Sequence, residues 1–179
     1  MKAFFEKMKG GAQIPPRMTM QEILYSFLGG FIGIGACAVL SHYFFEPRDI
    51  VLIIGSMGAS AVLVYGAIKS PLAQPRNLIG GHVISGLVGV ISFQLLPHNI
   101  GLSSALAVSL AIAVMGLTKT LHPPGGATAL IAVIGGDKIH NLGFLYPFVP
   151  AGAGALVLLI VALIANNLAP SRKYPEYWF

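Results

Sequence analysis

Residues 120–136, TLHPPGGATALIAVIGG, interrupt an otherwise apolar chain. One histidine, two prolines and two glycines stand directly before a short hydrophobic run. Prolines and glycines usually mark loops, yet the sequence on both sides is hydrophobic enough for a membrane. From Gly125 to Gly136 a helix would be only about 18 Å long. This stretch therefore predicts either a re-entrant half-helix or a span whose first part is not helical.

The composition places the whole chain in a membrane. Hydrophobic residues make up 55% of the 179 residues and charged residues only 9%, whereas soluble domains carry about 25% charged residues. No long soluble segment separates the apolar runs, so one compact membrane domain is expected. The single cysteine, Cys37, excludes an intramolecular disulfide. The charged residues that give the net charge of +5 lie between the apolar runs. There they set the membrane topology and do not indicate nucleic-acid binding.

Five apolar runs are long enough to cross a bilayer, which takes about 20 residues. They are residues 22–45, 50–68, 78–96, 101–118 and 145–167. With the stretch after His122, they predict an all-α, polytopic transmembrane helix bundle of about six segments, over residues 21–168. Residues 1–20 are expected to form a cytoplasmic segment, either a short interfacial helix or a solvated terminus. Residues 169–179 are expected to form a cytoplasmic tail.

Basic residues favour six crossings with both termini in the cytoplasm. Cytoplasmic loops of membrane proteins are enriched in Lys and Arg. In the six-crossing topology nine basic residues are cytoplasmic and two, Arg48 and Lys138, are outside. A five-span alternative with a re-entrant loop at 122–136 puts the basic C-terminus outside and fits less well. The sequence therefore predicts a multi-pass protein of the cell's inner (plasma) membrane with cytoplasmic N- and C-termini.

A short internal repeat relates the two halves of the chain. Sliding the sequence by 68 residues places GASAVL, residues 58–63, on GATALI, residues 126–131. Each half has the order span, glycine-rich segment, span, and a repeat of three crossings must be inverted relative to its partner. Residues 22–96 and 101–167 are therefore predicted to be inverted repeats with broken helices, an architecture that recurs in secondary transporters. The match is short and rich in glycine and alanine, so chance similarity is the alternative.

The two glycine-rich segments are the candidate substrate-binding site. Proline is tolerated in the first turn of a helix, so HPPGGAT would be an extended segment followed by a helix start inside the membrane. Free amides and the helix dipole attract an anion there, and GSMGAS offers the same chemistry from the opposite leaflet. The alternative is that GASA and GATA only let helices pack closely. The candidate binding residues are Ser56, Gly58, Ser60, His122, Pro124, Gly125, Gly126 and Thr128.

Histidines inside the apolar runs are candidate proton carriers. His82 lies about one turn into the third span, and an ionisable group inside a membrane is a functional hypothesis by default. Because histidine titrates near neutral pH, His82 would couple proton movement to anion movement; the alternative is an interhelical hydrogen bond. His122 has the same two interpretations. His42, His98 and His140 fall in outer-side loops and are expected to be solvated.

Three motifs resemble the HPP family of integral membrane proteins. They are GSMGASAVL at 55–63, SPLAQPRNLIGGHVISGLVGV at 70–90 and His122-Pro123-Pro124, and the resemblance extends over about residues 20–168. Family members in chloroplasts and cyanobacteria are associated with nitrite transport, so the resemblance implies nitrite as the substrate. Composition supports only a small polar or anionic solute. The family is usually described with fewer transmembrane segments than the six predicted here.

The second of these motifs contains Arg76 and Asn77, at the cytoplasmic mouth of the third span. With Lys119 and His82, they are the candidate pathway or gating residues. Positive side chains at a mouth gather anions from solution. The alternative is ordinary positive-inside topology, with Arg76 bound to lipid phosphate.

Transport of a small inorganic anion, nitrite first, is therefore the predicted function, through a site near the membrane midplane. A passive channel for small polar solutes and a non-transporting scaffold or sensor module are the alternatives. An enzyme is not expected, because HExxH, GxSxG and GxGD motifs are absent and no acidic residue lies deeper than Glu22 and Glu46 at the span edges. No cofactor or metal is predicted. Beyond the lipid bilayer, the expected partner is a second copy of the chain, because six short helices leave little to shield a polar pathway.

Overall fold

The protein is built from helices. The computed structural model describes residues 2–10, 12–48 and 50–179, and these residues contain no β-strand. The α-helices are α1 (Lys2–Lys7), α2 (Met20–Leu40), α3 (Gly55–Ala61), α4 (Pro75–Leu95), α5 (Ile100–Leu117), α6 (Pro123–Ile134), α7 (Asp137–His140) and α8 (Ala153–Leu168). Wider π-helical turns continue three of them, at Ser41–Phe45 after α2, Val62–Gly66 after α3 and Pro147–Gly152 before α8.

Four helical stretches of the described residues are long and apolar enough to cross a membrane. They are Met20–Arg48, Pro75–Leu95, Ile100–Leu117 and Gly143–Leu168. The runs predicted at 22–45, 78–96, 101–118 and 145–167 coincide with them, which confirms an all-α, polytopic membrane protein. In the most apolar 18-residue stretch of α4, 50% of the residues are buried inside the protein, against 22% in the corresponding stretch of α5. The α4 helix is therefore central, whereas α5 turns most of its surface outward.

The second predicted span, residues 50–68, is not one continuous helix. Ile54 is extended, with φ −105° and ψ 154°, and the chain is helical only from Gly55 to Gly66. These residues rise about 18 Å, which is too short for a helix that crosses the bilayer. Before them, the Leu52 amide donates to the Ser41 hydroxyl instead of to a helical carbonyl, over 3.1 Å. Hydropathy alone does not distinguish such an extended apolar segment from a helix, so the expected full helical span was wrong.

The α6 helix is the second short apolar helix. It has 12 residues, and His122 before it is extended, so the predicted break in this segment is present. The order long helix, short helix, long helix therefore holds in both halves of the chain, as α2–α3–α4 and as α5–α6–α8. The two short helices pack against each other, and α4 packs against both α5 and α6. This packing brings the two glycine-rich segments together at the side of the central helix.

Residues 169–179 pack against the protein instead of trailing away from it. Arg172 is only 8% exposed, and its guanidinium has five N–H groups to satisfy. Five acceptors within 3.1 Å receive them. Two belong to Glu22, its Oε2 and its backbone carbonyl, and the others are the Ser26 hydroxyl, the Tyr65 carbonyl and Asn166 Oδ1. Arg172 thereby ties the start of α2 to the end of α8 and caps the helical turn after α3.

The same segment holds the loop between α3 and α4. The Tyr174 hydroxyl donates to the Ala73 carbonyl over 2.8 Å, and burial raises the pKa of this phenol, so it stays a donor. The Glu176 amide donates to Gln74 Oε1 over 2.8 Å. The C-terminal segment thus fixes the loop at Ala73 and Gln74.

Candidate functional site

Four buried polar side chains meet where α3, α4 and the start of α6 come together. They are Ser60 on α3, His82 on α4, His122 immediately before α6 and Thr128 on α6, and each is completely buried. We call this group the polar cluster. All four residues are candidates from the sequence, and they bring the GSMGAS and HPPGGAT segments within hydrogen-bond distance of each other.

The local sequence explains why His122 points into this group. A residue before proline avoids the helical region because the proline ring clashes with it, and His122 is extended, with φ −138° and ψ 108°. Pro123 and Pro124 then start α6, where proline loses no intrahelical hydrogen bond. Gly81 on α4 has no side chain, and a Cβ there would overlap that of His122. The glycine therefore allows the close approach on which the polar cluster depends.

Both nitrogen atoms of both imidazoles are hydrogen-bonded. Ser60 Oγ lies 2.7 Å from His82 Nε2 and 2.8 Å from His122 Nε2. On the other side of each ring, His82 Nδ1 lies 2.7 Å from Thr128 Oγ1, and His122 Nδ1 lies 2.8 Å from the carbonyl oxygen of Leu72. The polar cluster is therefore one continuous hydrogen-bonded chain from Thr128 to Leu72.

The Leu72 carbonyl sets the direction of this chain when both rings are neutral. A carbonyl only accepts, so His122 carries its proton on Nδ1 and accepts at Nε2. Ser60 therefore donates its hydroxyl proton to His122 and accepts from His82 Nε2–H. His82 then accepts at Nδ1 from the Thr128 hydroxyl. The two histidines are thus opposite tautomers, and every polar hydrogen of the polar cluster has an acceptor.

The first turn of α6 offers fewer free donors than its sequence suggests. Pro123 and Pro124 have no amide hydrogen, and the Gly125 amide donates to the His122 carbonyl over 2.8 Å. Thr128, the hydroxyl donor of this segment, is already bonded to His82. In this conformation the anion-binding chemistry predicted for a bare helix start is therefore occupied by internal partners.

The glycines predicted at the site divide between an inner and an outer face. Gly125 is buried, and a Cβ on it would lie 2.8 Å from Met115 Sδ and 2.9 Å from the Gly81 carbonyl oxygen. Gly126 instead faces an apolar groove beside α5, and Gly58 lines an apolar groove between α2 and α3. The polar cluster thus contains neither Gly58 nor Gly126, and their binding role stays a prediction.

Ser56 and Pro124 lie near the polar cluster without joining its hydrogen-bonded chain. Ser56 is buried one turn before Ser60, and its hydroxyl has no hydrogen-bond partner among the described residues. Pro124 contributes its carbonyl, 3.3 Å from the Thr128 hydroxyl. Their assignment as substrate-binding residues stays a prediction.

The predicted mouth residues hold the connection between α5 and α6. Arg76 donates to the Thr118 carbonyl and Asn77 to the Leu121 carbonyl, each over 2.8 Å. Lys119 is exposed at the turn between these two carbonyls. Arg76 and Asn77 therefore position the segment that enters α6, and a role of these three residues in gathering anions stays a prediction.

Sequence reasoning missed two contributors to this region. The Leu72 carbonyl is a backbone acceptor, which no sequence pattern marks. Tyr146 is fully buried and donates its hydroxyl to the Thr128 carbonyl over 2.9 Å; a tyrosine inside an apolar run is the signal that points to it, because its hydroxyl needs a partner. Tyr146 thus holds the turn of α6 that carries Thr128.

His140 is not the solvated loop residue that its position suggests. Its ring stacks on Phe93, with centroids 3.8 Å apart and an interplanar angle of 15°. Its Nε2 lies 2.9 Å from the Val133 carbonyl at the end of α6. A histidine near the C-terminal end of a helix is favoured there because the last carbonyls lack partners. His42 and His98 are exposed, as predicted.

The described ranges contain no group of three or more His, Cys, Asp or Glu side chains placed to hold an ion. Each imidazole nitrogen of the polar cluster is also engaged by a protein atom.

Comparisons with known proteins cover nearly the whole chain. The family model described as "HPP, transmembrane region" matches residues 15–175. Two proteins of Dictyostelium discoideum, each named only as a transmembrane protein, are 48% identical over 98% of this chain and 45% identical over 92% of it. This chain spans 57% and 59% of the length of those relatives. No solved structure is detectably similar to it. With its His-Pro-Pro motif at the start of α6 and the family match over that region, this chain belongs to the HPP transmembrane family.

Proposed function

We propose that this protein transports a small inorganic anion across a membrane, and that the polar cluster lies on the pathway. One observation carries the proposal: two imidazoles and two hydroxyls are completely buried where two short helices meet inside an apolar membrane domain. Ionisable groups inside membrane segments mark substrate and ion pathways. Close helix packing needs only small residues, which the glycines and alanines of both segments supply without an imidazole.

The substrate we propose is nitrite, on the resemblance to family members associated with its transport. The chemistry of the polar cluster suits a small oxyanion, because hydroxyl and imidazole N–H groups donate to anionic oxygens with charge-assisted hydrogen bonds. Arg76 and Lys119 would add positive potential at one end of this region.

The described conformation is closed at the polar cluster, because each of its polar atoms is bonded to another protein atom. For a solute to pass, α3 and α6 would separate and break the contacts of Ser60 with the two rings. The hydroxyls of Ser60 and Thr128 and the N–H of His82 would then be free to bind the anion. Irregular backbone at membrane depth is tolerated where it lines such a cavity.

The topology of the proposal has six segments arranged as two inverted repeats, with both termini in the cytoplasm of a plasma-membrane protein. The order long, short, long in both halves supports the repeat, and the nine-to-two distribution of basic residues supports the orientation. We also propose that two copies associate, since the small bundle would shield its pathway better as a dimer. The mass of the protein in detergent tests this part separately.

A second candidate function is a membrane module that transports nothing. The full pairing of the polar cluster favours it, because a satisfied buried polar network also serves to fix the positions of helices. The two candidates differ in one measurable property, the flux of anions.

Flux into liposomes that contain the purified protein tests the proposal. Nitrite, nitrate, formate and chloride are compared for the wild type, Ser60→Ala and Ser103→Ala, with protein-free liposomes subtracted because nitrous acid crosses bilayers unaided. Ser103 on α5 is the matched control, since it is equally buried but its hydroxyl has no partner among the described residues. We expect saturable nitrite flux with counterflow, reduced roughly tenfold by Ser60→Ala, the equivalent of about one hydrogen bond, and unchanged by Ser103→Ala.

Three results would contradict the proposal in different ways. Flux that neither saturates nor shows counterflow would identify a passive channel. Wild-type flux equal to that of protein-free liposomes for all four anions would favour the non-transporting module. Ser60→Ala protein that transports as well as the wild type would place the pathway away from the polar cluster.

A further inference from the structure

The hydrogen-bonded chain of the polar cluster has one end, at His82 Nδ1 and Thr128, that makes room for an additional proton without loss. With both rings neutral, each donor in the chain already has an acceptor. A proton added at His122 Nε2 reverses the chain: His122 donates to Ser60, Ser60 donates to His82 Nε2, and the proton of His82 moves to Nδ1. A proton added at His82 Nδ1 would turn that atom into a donor to Thr128 Oγ1. The Thr128 hydroxyl then has a second acceptor, the Pro124 carbonyl at 3.3 Å.

Thr128 is therefore a two-position switch. Its hydroxyl donates to His82 Nδ1 when the ring is neutral, and to the Pro124 carbonyl when the ring is charged. In the second position its oxygen accepts from the imidazolium. The other ring nitrogen, His82 Nε2, donates to Ser60 in both states, so protonation breaks no bond with α3.

Among the described residues, no counter-ion compensates a charge on His82. The titratable groups around it are His122 on the entry to α6, whose ring centroid is 5.2 Å away, and Tyr146 before α8, whose hydroxyl binds the Thr128 carbonyl. On α4 itself, Arg76 donates to the Thr118 carbonyl, away from the polar cluster. None of the hydrogen bonds or ion pairs of the described residues joins a carboxylate to the polar cluster. An imidazolium here would thus be a buried charge without a partner, which is costly.

We infer that His82 Nδ1 is a proton-binding site that fills together with the transported anion, so that the protein is a proton–anion symporter. This inference rests on the proposed function for the identity of its second substrate. An anion in the opened polar cluster supplies the counter-charge that the imidazolium lacks. The proton on the imidazolium in turn supplies the counter-charge for the anion. Because such coupling is reciprocal, each ligand raises the affinity for the other, and the pair crosses without net charge.

The first test reads the protons directly and needs no transport. Protein with ¹⁵N-labelled histidine is placed in lipid nanodiscs, and the imidazole ¹⁵N shifts are recorded against pH, with His82→Gln and His122→Gln to assign the signals. We expect opposite tautomers at high pH, with the proton on Nε2 of His82 and on Nδ1 of His122. As the pH falls, and more readily when nitrite is present, His82 Nδ1 gains a proton. Equal tautomers at high pH, or a His82 Nδ1 that carries no proton at any pH at which the protein stays folded, would overturn the inference.

The second test uses a matched pair of substitutions at the switch. Thr128→Val removes the group that accepts from the charged ring, whereas Thr128→Ser keeps it. Because a hydrogen bond to a charged group is about twice as strong as a neutral one, we expect the protonation of His82 and the pH profile of flux to move about one pH unit lower in Thr128→Val. The Thr128→Ser protein should keep the wild-type profile. A structural role of Thr128 alone would lower stability without moving the profile.

The last test separates failure of the inference from failure of the proposed function. Proton entry is measured with a trapped pH dye during nitrite uptake, with an ionophore to hold the membrane potential at zero. We expect one proton for each nitrite, and uptake driven by a pH gradient alone. Nitrite flux without proton entry would overturn the symport and leave anion transport standing. No flux, with His82 protonated as described, would overturn the proposed function while the proton site itself stands.

Discussion

Gly125→Ala and Gly126→Ala are the same change at adjacent positions of α6, and we expect the Gly125→Ala protein to be the less stable of the two. A Cβ at Gly125 would lie 2.8 Å from Met115 Sδ, 2.9 Å from the Gly81 carbonyl and 3.1 Å from Ser85 Oγ. Met115 can rotate away, but the carbonyl belongs to the backbone of α4 directly before His82. Helix α6 would therefore have to move away from α4. A Cβ at Gly126 would meet only Val108 Cγ1, at 4.0 Å.

The expected difference in the free energy of unfolding follows from two opposing contributions, overpacking and helix propensity. Overpacking of a well-packed interior costs about 1–3 kcal/mol, and this cost falls on Gly125→Ala alone. Alanine favours a helix over glycine by up to about 1 kcal/mol, and both substitutions gain this term. Gly126→Ala should therefore be neutral or stabilising by up to about 1 kcal/mol, and Gly125→Ala should be less stable than Gly126→Ala by about 1–3 kcal/mol.

Reversible unfolding in mixed micelles measures the difference, with the wild type alongside. The same displacement should lengthen the contact between His82 Nδ1 and Thr128 Oγ1, now 2.7 Å, so Gly125→Ala should also lower nitrite flux while Gly126→Ala leaves it unchanged. Equal stability of the two variants would refute the packing of α6 on α4 described here. A Gly126→Ala protein that is the less stable of the two would show that the inner and outer faces of α6 are exchanged.

Three further predictions concern the surroundings of the polar cluster. Tyr146→Phe should lower the free energy of unfolding by about 1 kcal/mol, because one buried donor is lost; stability equal to the wild type would mean that the Thr128 carbonyl finds another donor. Arg172→Lys keeps the charge but has too few donors for five acceptors, so amide hydrogen exchange at Tyr174 and Glu176 should become faster, and unchanged protection would show that the C-terminal segment holds itself in place. A reporter fused within residues 97–100 should lie outside the cell, and a reporter fused at Phe179 should lie in the cytoplasm. An external C-terminus would reject the six-crossing topology.

The nature of the protein follows from its sequence alone. Hydropathy and the scarcity of charge identify a multi-pass helical membrane protein, because the cost of placing charges in lipid leaves few other solutions. The break at His122 is also readable, because proline directs the preceding residue out of the helical region. Motif order identifies Ser60, His82, His122 and Thr128 as candidates, because polar residues inside apolar runs need partners.

Only the tertiary structure decides which of the candidates meet. The polar residues of α4 and α5 are spread around each helix, so no amphipathic stripe shows which face is inward. The sequence also does not separate Gly125 from Gly126 or Ser60 from Gly58. Extended and helical apolar segments have the same hydropathy, which is why residues 50–68 do not form the expected continuous helix. The direction of the hydrogen-bonded chain depends on the Leu72 carbonyl, a backbone atom that every residue possesses. Its position beside His122 results from packing between segments 50 residues apart, and long-range packing of this kind is decided by the fit of whole surfaces rather than by any local pattern.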